Sequence, residues 1–181
     1  MKKREFVDEI CKILENNNVI SHQESVDLKK NFEGRSQITF DDFLIEEGLV
    51  EKEDLLKALS IYYRVPSFDP IGYFFDHYLL VKFPKDFLLR NLILPLEVVE
   101  DNILVVVANN PNDEELLPAL GKFVSYDIQF MVAIAQDIVE TIEDFYDKSL
   151  TDLELDDNLV PQKEEELQKE VQDIEELPKE K

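Results

Sequence analysis

Residues 10–32 and 40–62 carry one pattern twice, at an offset of 30 residues. Ile10 falls on Phe40, Ile13 on Phe43, Leu14 on Leu44, Asn18 on Gly48, Val19 on Leu49, Ile20 on Val50 and Phe32 on Tyr62. Each copy reads as an apolar helical stripe, a tight corner, two aliphatic residues and a second helix. A unit this short cannot bury its apolar face alone, so the two copies are expected to stack. The expected product is a four-helix module of two repeated helical hairpins over residues 1–66.

The second copy, within residues 38–66, is the clearer one. Phe40, Phe43, Leu44 and Ile45 recur at helical spacing. Gly48 follows, the residue best able to end a helix in the left-handed conformation. Glu51, Lys52, Glu53 and Asp54 make an acidic first turn for the next helix. Its apolar face is Leu55, Leu56, Leu59 and Tyr62 or Tyr63. Val65-Pro66 closes the unit, because the residue before proline is biased out of the helical region. In the first copy, Phe6, Ile10, Ile13 and Leu14 share a face, and Asn16-Asn17-Asn18 turns the corner. Ser21 with Glu24 forms a capping box. The helix that follows is weakly apolar, through Val26, Leu28 and Phe32. Nothing in either hairpin is catalytic; both read as packing or binding elements.

After Pro66 the character changes. Residues 67–72 read as a linker with turn chemistry. Tyr73, Phe74, Phe75, Tyr78, Leu79, Leu80, Val81 and Phe83 form a dense aromatic segment. Its Phe74, Phe75 and Tyr78 are read as core, with an exposed docking patch as the alternative. Pro84 opens a short helix. Residues 92–99 and 102–108 read as strands of a hairpin, and 127–132 as a third strand. Helices are expected over 114–122, stopped by Gly121, and over 136–147, with Ile138, Val139, Ile142, Phe145 and Tyr146 as the buried stripe. The fold class is therefore α+β: the hairpin module, a small three-stranded α+β subdomain over 67–147, and an acidic tail over 148–181. Leu167, Val171 and Ile174 give the tail helical spacing, so it is read as disordered or partly helical.

Charge excludes several functions. The 181 residues hold 41 acids and 19 bases, a net charge of −22. The tail has 12 acids against 5 bases, which leaves 29 against 14 in the rest. Such a surface repels nucleic acid and anionic lipid. It suits basic protein partners. The one cysteine, Cys11, permits no intrachain disulfide. No apolar run approaches the ~20 residues of a membrane span. The chain is read as cytoplasmic, without direct membrane insertion.

No catalytic set is expected. Asp41-Asp42 and Glu46-Glu47 describe a solvated helix face. Asp113-Glu114-Glu115 is charge at a helix start, not a metal loop. Cys11 lacks an adjacent histidine and reads as a small buried apolar residue. His77 is read as a core or surface histidine, and no Ser/His/Asp set fits two histidines so placed. No metal ligand is assigned.

Three strings appear in order: FLIEEGLVEKEDLLKALSIYYRVP at 43–66, LPLEVVEDNILVVVANNPND at 94–113 and IEDFYD at 142–147. With them the chain resembles the N-terminal domain of type II secretion and type IV pilus assembly ATPases, the GspE/MshE N-terminal domain. The resemblance implies a protein partner in a secretion or pilus platform or motor. It also implies a cyclic di-GMP site in some members, one motif per hairpin, opening with Arg-Leu-Gly and closing with Gln. Carried onto the second copy, that motif falls on Thr39, Phe40, Asp41, Leu44, Gly48, Leu49, Leu55, Leu59 and Tyr62. The apolar positions are kept. Asp41 stands for the opening glycine and Tyr62 for the closing glutamine. In the first copy the opening is Glu9-Ile10-Cys11, Asn18 replaces glycine and Phe32 replaces glutamine. The arginines that would pair with phosphate are gone. No cofactor is expected, and cyclic di-GMP enters only under the alternative of a sensor with a degenerate motif. The ATPase phosphate loop is absent, since none of the four glycines lies in a Gly-x-x-x-x-Gly-Lys-Ser/Thr string. The expectation is a stand-alone, non-enzymatic interaction or regulatory adaptor domain.

Overall fold

A computed structural model of the chain describes residues 2–33, 35, 38–100 and 102–157. The first compact unit is Met1–Ile142. It opens with helices α1 (Lys2–Asn16), α2 (His22–Phe32), α3 (Phe40–Glu46) and α4 (Lys52–Tyr63). The two corners behave alike: Asn18 has φ 57° and Gly48 has φ 67°. The 30-residue offset thus preserves backbone geometry although the residue type changes. Ser21 and Glu24 make both bonds of the capping box at the start of α2. Helix α4 stops one residue earlier than Val65, at Arg64, which takes the left-handed conformation with φ 58°.

The apolar faces meet in one cluster. Ile10, Cys11, Leu14, Phe43, Leu44, Leu55 and Leu59 are fully buried in it. Val132 and Ile134, far along the chain, complete it. Leu49, one of the two aliphatics after the corner, is 47% exposed, and Val50 beside it is the buried residue of the pair. The corner turns only one of the two aliphatics inward.

Gly48 offers a clean test of the corner. A Cβ built there meets nothing within 4 Å, so only its positive φ resists a side chain. Gly48→Ala is expected to lower the unfolding free energy by about 1 kcal/mol. Gly48→Asn should recover most of that, because asparagine already holds the equivalent corner at Asn18. Urea midpoints at unchanged slope measure both; equal losses for the two variants would refute the conformational explanation.

Helices α5 (His77–Leu80) and α6 (Lys85–Asn91) lead to a three-stranded sheet of order β1-β2-β3. Strand β1 (Ile93–Val99) pairs antiparallel with β2 (Ile103–Ala108), and the register shifts between Pro95 and Glu97. Proline donates nothing to a ladder, so an edge strand with an adjacent bulge accommodates it. Strand β3 (Asp127–Val132) runs parallel to β2, which requires a crossover, supplied by the loop and helix α7 (Leu116–Leu120). Strand β2 is central and almost wholly buried, as its run of valines demands. The hairpin and third strand expected from the sequence carry no local signal of this parallel pairing.

The stretch read as a linker is tied down. Val132 N donates to Pro66 O and Phe68 N to Val132 O, both at 2.9 Å. The aromatic segment is corrected more strongly. Phe74 is 96% exposed and Tyr78 82% exposed, so neither is core. The backbone there is neither helix nor strand up to Asp76 and then makes one helical turn, and Leu79, Leu80 and Phe83 turn inward instead. Helix α7 is shorter than the expected 114–122, because Asp113 Oδ1 accepts from Glu115 N and holds that turn outside the helix.

Helix α8 (Ala135–Asp157) buries Ile138 and Ile142 within the first unit. The second unit, Glu143–Lys181, carries its continuation, with Phe145 and Tyr146 edge to face at 5.2 Å. The tail from residue 158 onward lies outside the described residues. Among the described residues, no helix is long and apolar enough to cross a membrane.

Candidate functional site

A cleft of about 940 Å³ opens where α1, the start of α3, the end of α4 and the loop after β2 converge. Each wall follows from local sequence. Phe6 lies on the apolar face of α1, and Glu5 beside it reaches the rim. Thr39 is the N-cap of α3, its hydroxyl accepting from Asp42 N, so Phe40 and Asp41 fall in the first turn. Tyr62 and Tyr63 end α4 because Arg64 terminates it. The polar loop supplies Asn109, Asn110, Asn112, Asp113, Glu114 and Glu115.

The rings form a connected set. Phe6 meets Tyr62 edge to face at 5.0 Å, and Tyr62 meets Tyr63 at 4.8 Å. Phe6 also stands 6.4 Å from Phe40, which contacts Phe32 at 4.9 Å and so joins the core. Burial raises the Tyr63 phenol well above its ordinary range, with Tyr62 and Asp41 adding to it. Burial, Glu5 and Glu9 raise that of Tyr62. Both phenols stay neutral.

Asp41 overturns the reading of a solvated acidic face. It is 3% exposed. Its Oδ2 accepts from Asn109 Nδ2 at 2.8 Å and from Ala135 N at 3.0 Å. Asp42 Oδ1 accepts from Gln136 N at 3.1 Å. The first N–H groups of a helix have no intrahelical acceptor, and its N-terminus favours negative charge. Two adjacent carboxylates from α3 therefore cap the start of α8. Burial nonetheless dominates and holds the Asp41 carboxyl above the usual carboxylate range. Asn109 Nδ2 also lies 3.3 Å from Ala133 O, which fixes the loop to the same point.

The motif positions named from the sequence divide between three places. Thr39, Phe40, Asp41 and Tyr62 line one cleft. Leu44, Leu55 and Leu59 are fully buried in the helical core. Gly48 and Leu49 occupy the exposed corner between α3 and α4, outside the cleft lining. Sequence reasoning missed Glu5, Phe6, Tyr63 and the whole loop wall. The loop was visible as a polar string, but nothing local marks that it folds against α3. Among the described residues, the five charged ones on the lining, Glu5, Asp41, Asp113, Glu114 and Glu115, are acidic. Among the described residues, no group of three or more His, Cys, Asp or Glu could hold a metal ion.

Residues 63–152 match the family model of the MshEN domain. Over those residues the chain is similar to an MshEN domain. This is an N-terminal domain of secretion and pilus ATPases, distinct from their catalytic domain. No curated protein matches the chain. Among solved structures, one of MshE with cdg aligns with a TM-score of 0.59 at 18% identity, covering 76% of this chain and 98% of the other. The N-terminal domain of XpsE aligns with a TM-score of 0.54 at 17% identity, covering 75% and 92%. These likenesses establish the shared α+β fold. They reach further than the family match, so the structural similarity does not stop at the MshEN domain.

Proposed function

We propose that the chain is a cytoplasmic, non-enzymatic interaction or regulatory adaptor, working with a platform or motor component of a secretion or pilus system. The observation that carries this reading is the chemistry of the cleft. Its described lining offers carboxylates, rings and asparagines, and no cation. A dianionic nucleotide placed there meets like charge and no arginine to receive its phosphates. Asp41 is moreover committed to capping α8. Among the described residues, the cleft likewise shows no nucleophile paired with a base, which speaks against catalysis.

A second reading is a cyclic di-GMP sensor, favoured by the fold similarity to MshE, which was solved with cdg. Calorimetry separates the two. Titration of the protein with cyclic di-GMP is expected to give no binding heat. A micromolar or tighter dissociation constant overturns the adaptor reading in favour of the sensor. The adaptor reading itself is checked by a two-hybrid screen against the motor and platform components of a secretion or pilus system, where at least one specific pair is expected and none would refute it.

A further inference from the structure

We propose that the ring-walled cleft between α1, α3, α4 and the 109–115 loop receives a basic peptide segment of a protein partner. An arginine or lysine side chain would lie along Tyr62, Tyr63 and Phe6, with its cation among Glu5, Asp113, Glu114 and Glu115. This deepens the adaptor reading and rests on it.

Three observations select this occupant. The first is the rings themselves. Tyr62, Tyr63 and Phe6 stand mutually edge to face or tilted, at 4.8–6.1 Å, around the same opening. Aromatic faces attract cations through their quadrupole, and arginine stacks on them as well. The phenols stay neutral, so the rings keep that role across physiological pH. The second is charge. The charged described residues on the lining are carboxylates, and Asp113, Glu114 and Glu115 are exposed on the rim. Asp41, on the buried floor, is occupied by Asn109 and Ala135 and is not counted among the cation's partners. The third is the polar wall. Asn110 and Asn112 present exposed amides, which both donate and accept, as a peptide backbone requires. A volume of about 940 Å³ accommodates several residues rather than one small cation. A simple polyamine, which only donates, would leave the asparagine N–H groups unused.

The probe is a fluorescein-labelled hexa-arginine peptide, followed by fluorescence anisotropy with the full chain. Four variants are compared with wild type. D113N/E114Q/E115Q removes rim charge at the cleft. E51Q/E53Q/E97Q removes the same charge from exposed positions elsewhere. Y62A removes a ring, and Y62F keeps it. Binding is expected to weaken roughly tenfold in the cleft triple, from three exposed charges acting together. The control triple should change it by less than about twofold, since exposed charges beyond a Debye length are screened. Y62A should weaken it roughly two- to fivefold, and Y62F should not. Equal weakening by both triples means general attraction to an acidic surface and overturns the proposal. So does a Y62A variant, folded by circular dichroism, that binds as wild type. Spermine competing as strongly as the peptide, with the same loss in the cleft triple, replaces the peptide by a polyamine. If the cleft variants do not affect the peptide while a secretion component still binds, this inference fails and the adaptor reading stands. Peptide binding at the cleft with no such component leaves the inference intact and removes the adaptor reading's context.

Discussion

Replacing Asp41 with alanine lowers the unfolding free energy by about 2–4 kcal/mol, the cost of orphaning two donors that a buried carboxylate satisfies. The donors are Asn109 Nδ2 and Ala135 N, at 2.8 and 3.0 Å. For a chain of this size the melting temperature should fall by roughly 4–16 °C. Alanine also leaves a small void, but the void is minor beside the unpaired N–H groups. Asp41→Asn keeps an acceptor oxygen and is expected to lose less than alanine. Urea unfolding of wild type and both variants, followed by far-UV circular dichroism, measures the series. An alanine variant within about 0.5 kcal/mol of wild type, the range of an ordinary surface change, would show that Asp41 is not a cap.

The same residue sets a pH dependence. Burial holds the folded Asp41 carboxyl above its ordinary range. Between the unfolded value, about 4, and the raised folded value, folding takes up a proton. The contribution of this titration to stability is therefore fully present below the unfolded value and is lost as pH rises through the folded one. Asp41→Asn does not titrate there. The stability gap between wild type and Asp41→Asn should narrow as pH rises from acid to neutral. A gap that widens over that range would mean the carboxyl is held below its ordinary value, with the helix N-terminus outweighing burial.

Phe43→Ala is expected to cost about 3–5 kcal/mol, the range for deleting a buried ring. Phe43 has no exposure. Its ring lies 5.3 Å from that of Phe32 and 6.1 Å from that of Phe40, and the Arg35 guanidinium covers it at 5.1 Å. The residue thus joins α2 to α3. Its counterpart in the first copy, Ile13, is only partly buried against the same cluster. Ile13→Ala should cost less than half as much. Paired denaturation curves test this directly. Equal losses at the two positions would mean that the copies are equivalent in energy as well as in pattern, against the burial seen.

Much of the fold was legible because its signals are local. A glycine or asparagine after an apolar stripe marks a corner, and both corners are where the 30-residue offset puts them. The Ser21 and Glu24 pair marks a helix start three residues long. Alternation and β-branching mark strands, and β3 begins and ends at the expected residues. What escaped was non-local. The sequence places Asp41 and Asp42 on a helix face that looks like any solvated one, while their partners lie 94 residues on. Leu49 and Val50 are alike in composition, and only the packing around the corner decides which turns in. Phe74 and Tyr78 are as apolar as core residues; Phe74 lies in the irregular stretch before α5 and Tyr78 in α5 beside the buried Leu79 and Leu80, placements that their own side chains do not signal. The cleft was half legible. The motif positions pointed to Thr39, Phe40, Asp41 and Tyr62, but not to the loop that faces them.

The span between Asp41 and Ala135 also has a meaning in time. The chain is made from its N-terminus, at about 5–20 residues per second. Once Asp41 has been added, the ribosome works for roughly 5–20 s more before Ala135 exists to be capped. Val132 and Ile134, which complete the helical core, arrive at nearly the same moment. Through that interval the nascent hairpins hold an unmatched carboxylate and an uncovered apolar edge. The closing step joins distant segments and so brings the entropy of a long loop with it. Completion of the hairpin core is therefore tied to the synthesis of residues 132–135 rather than to the hairpins' own emergence.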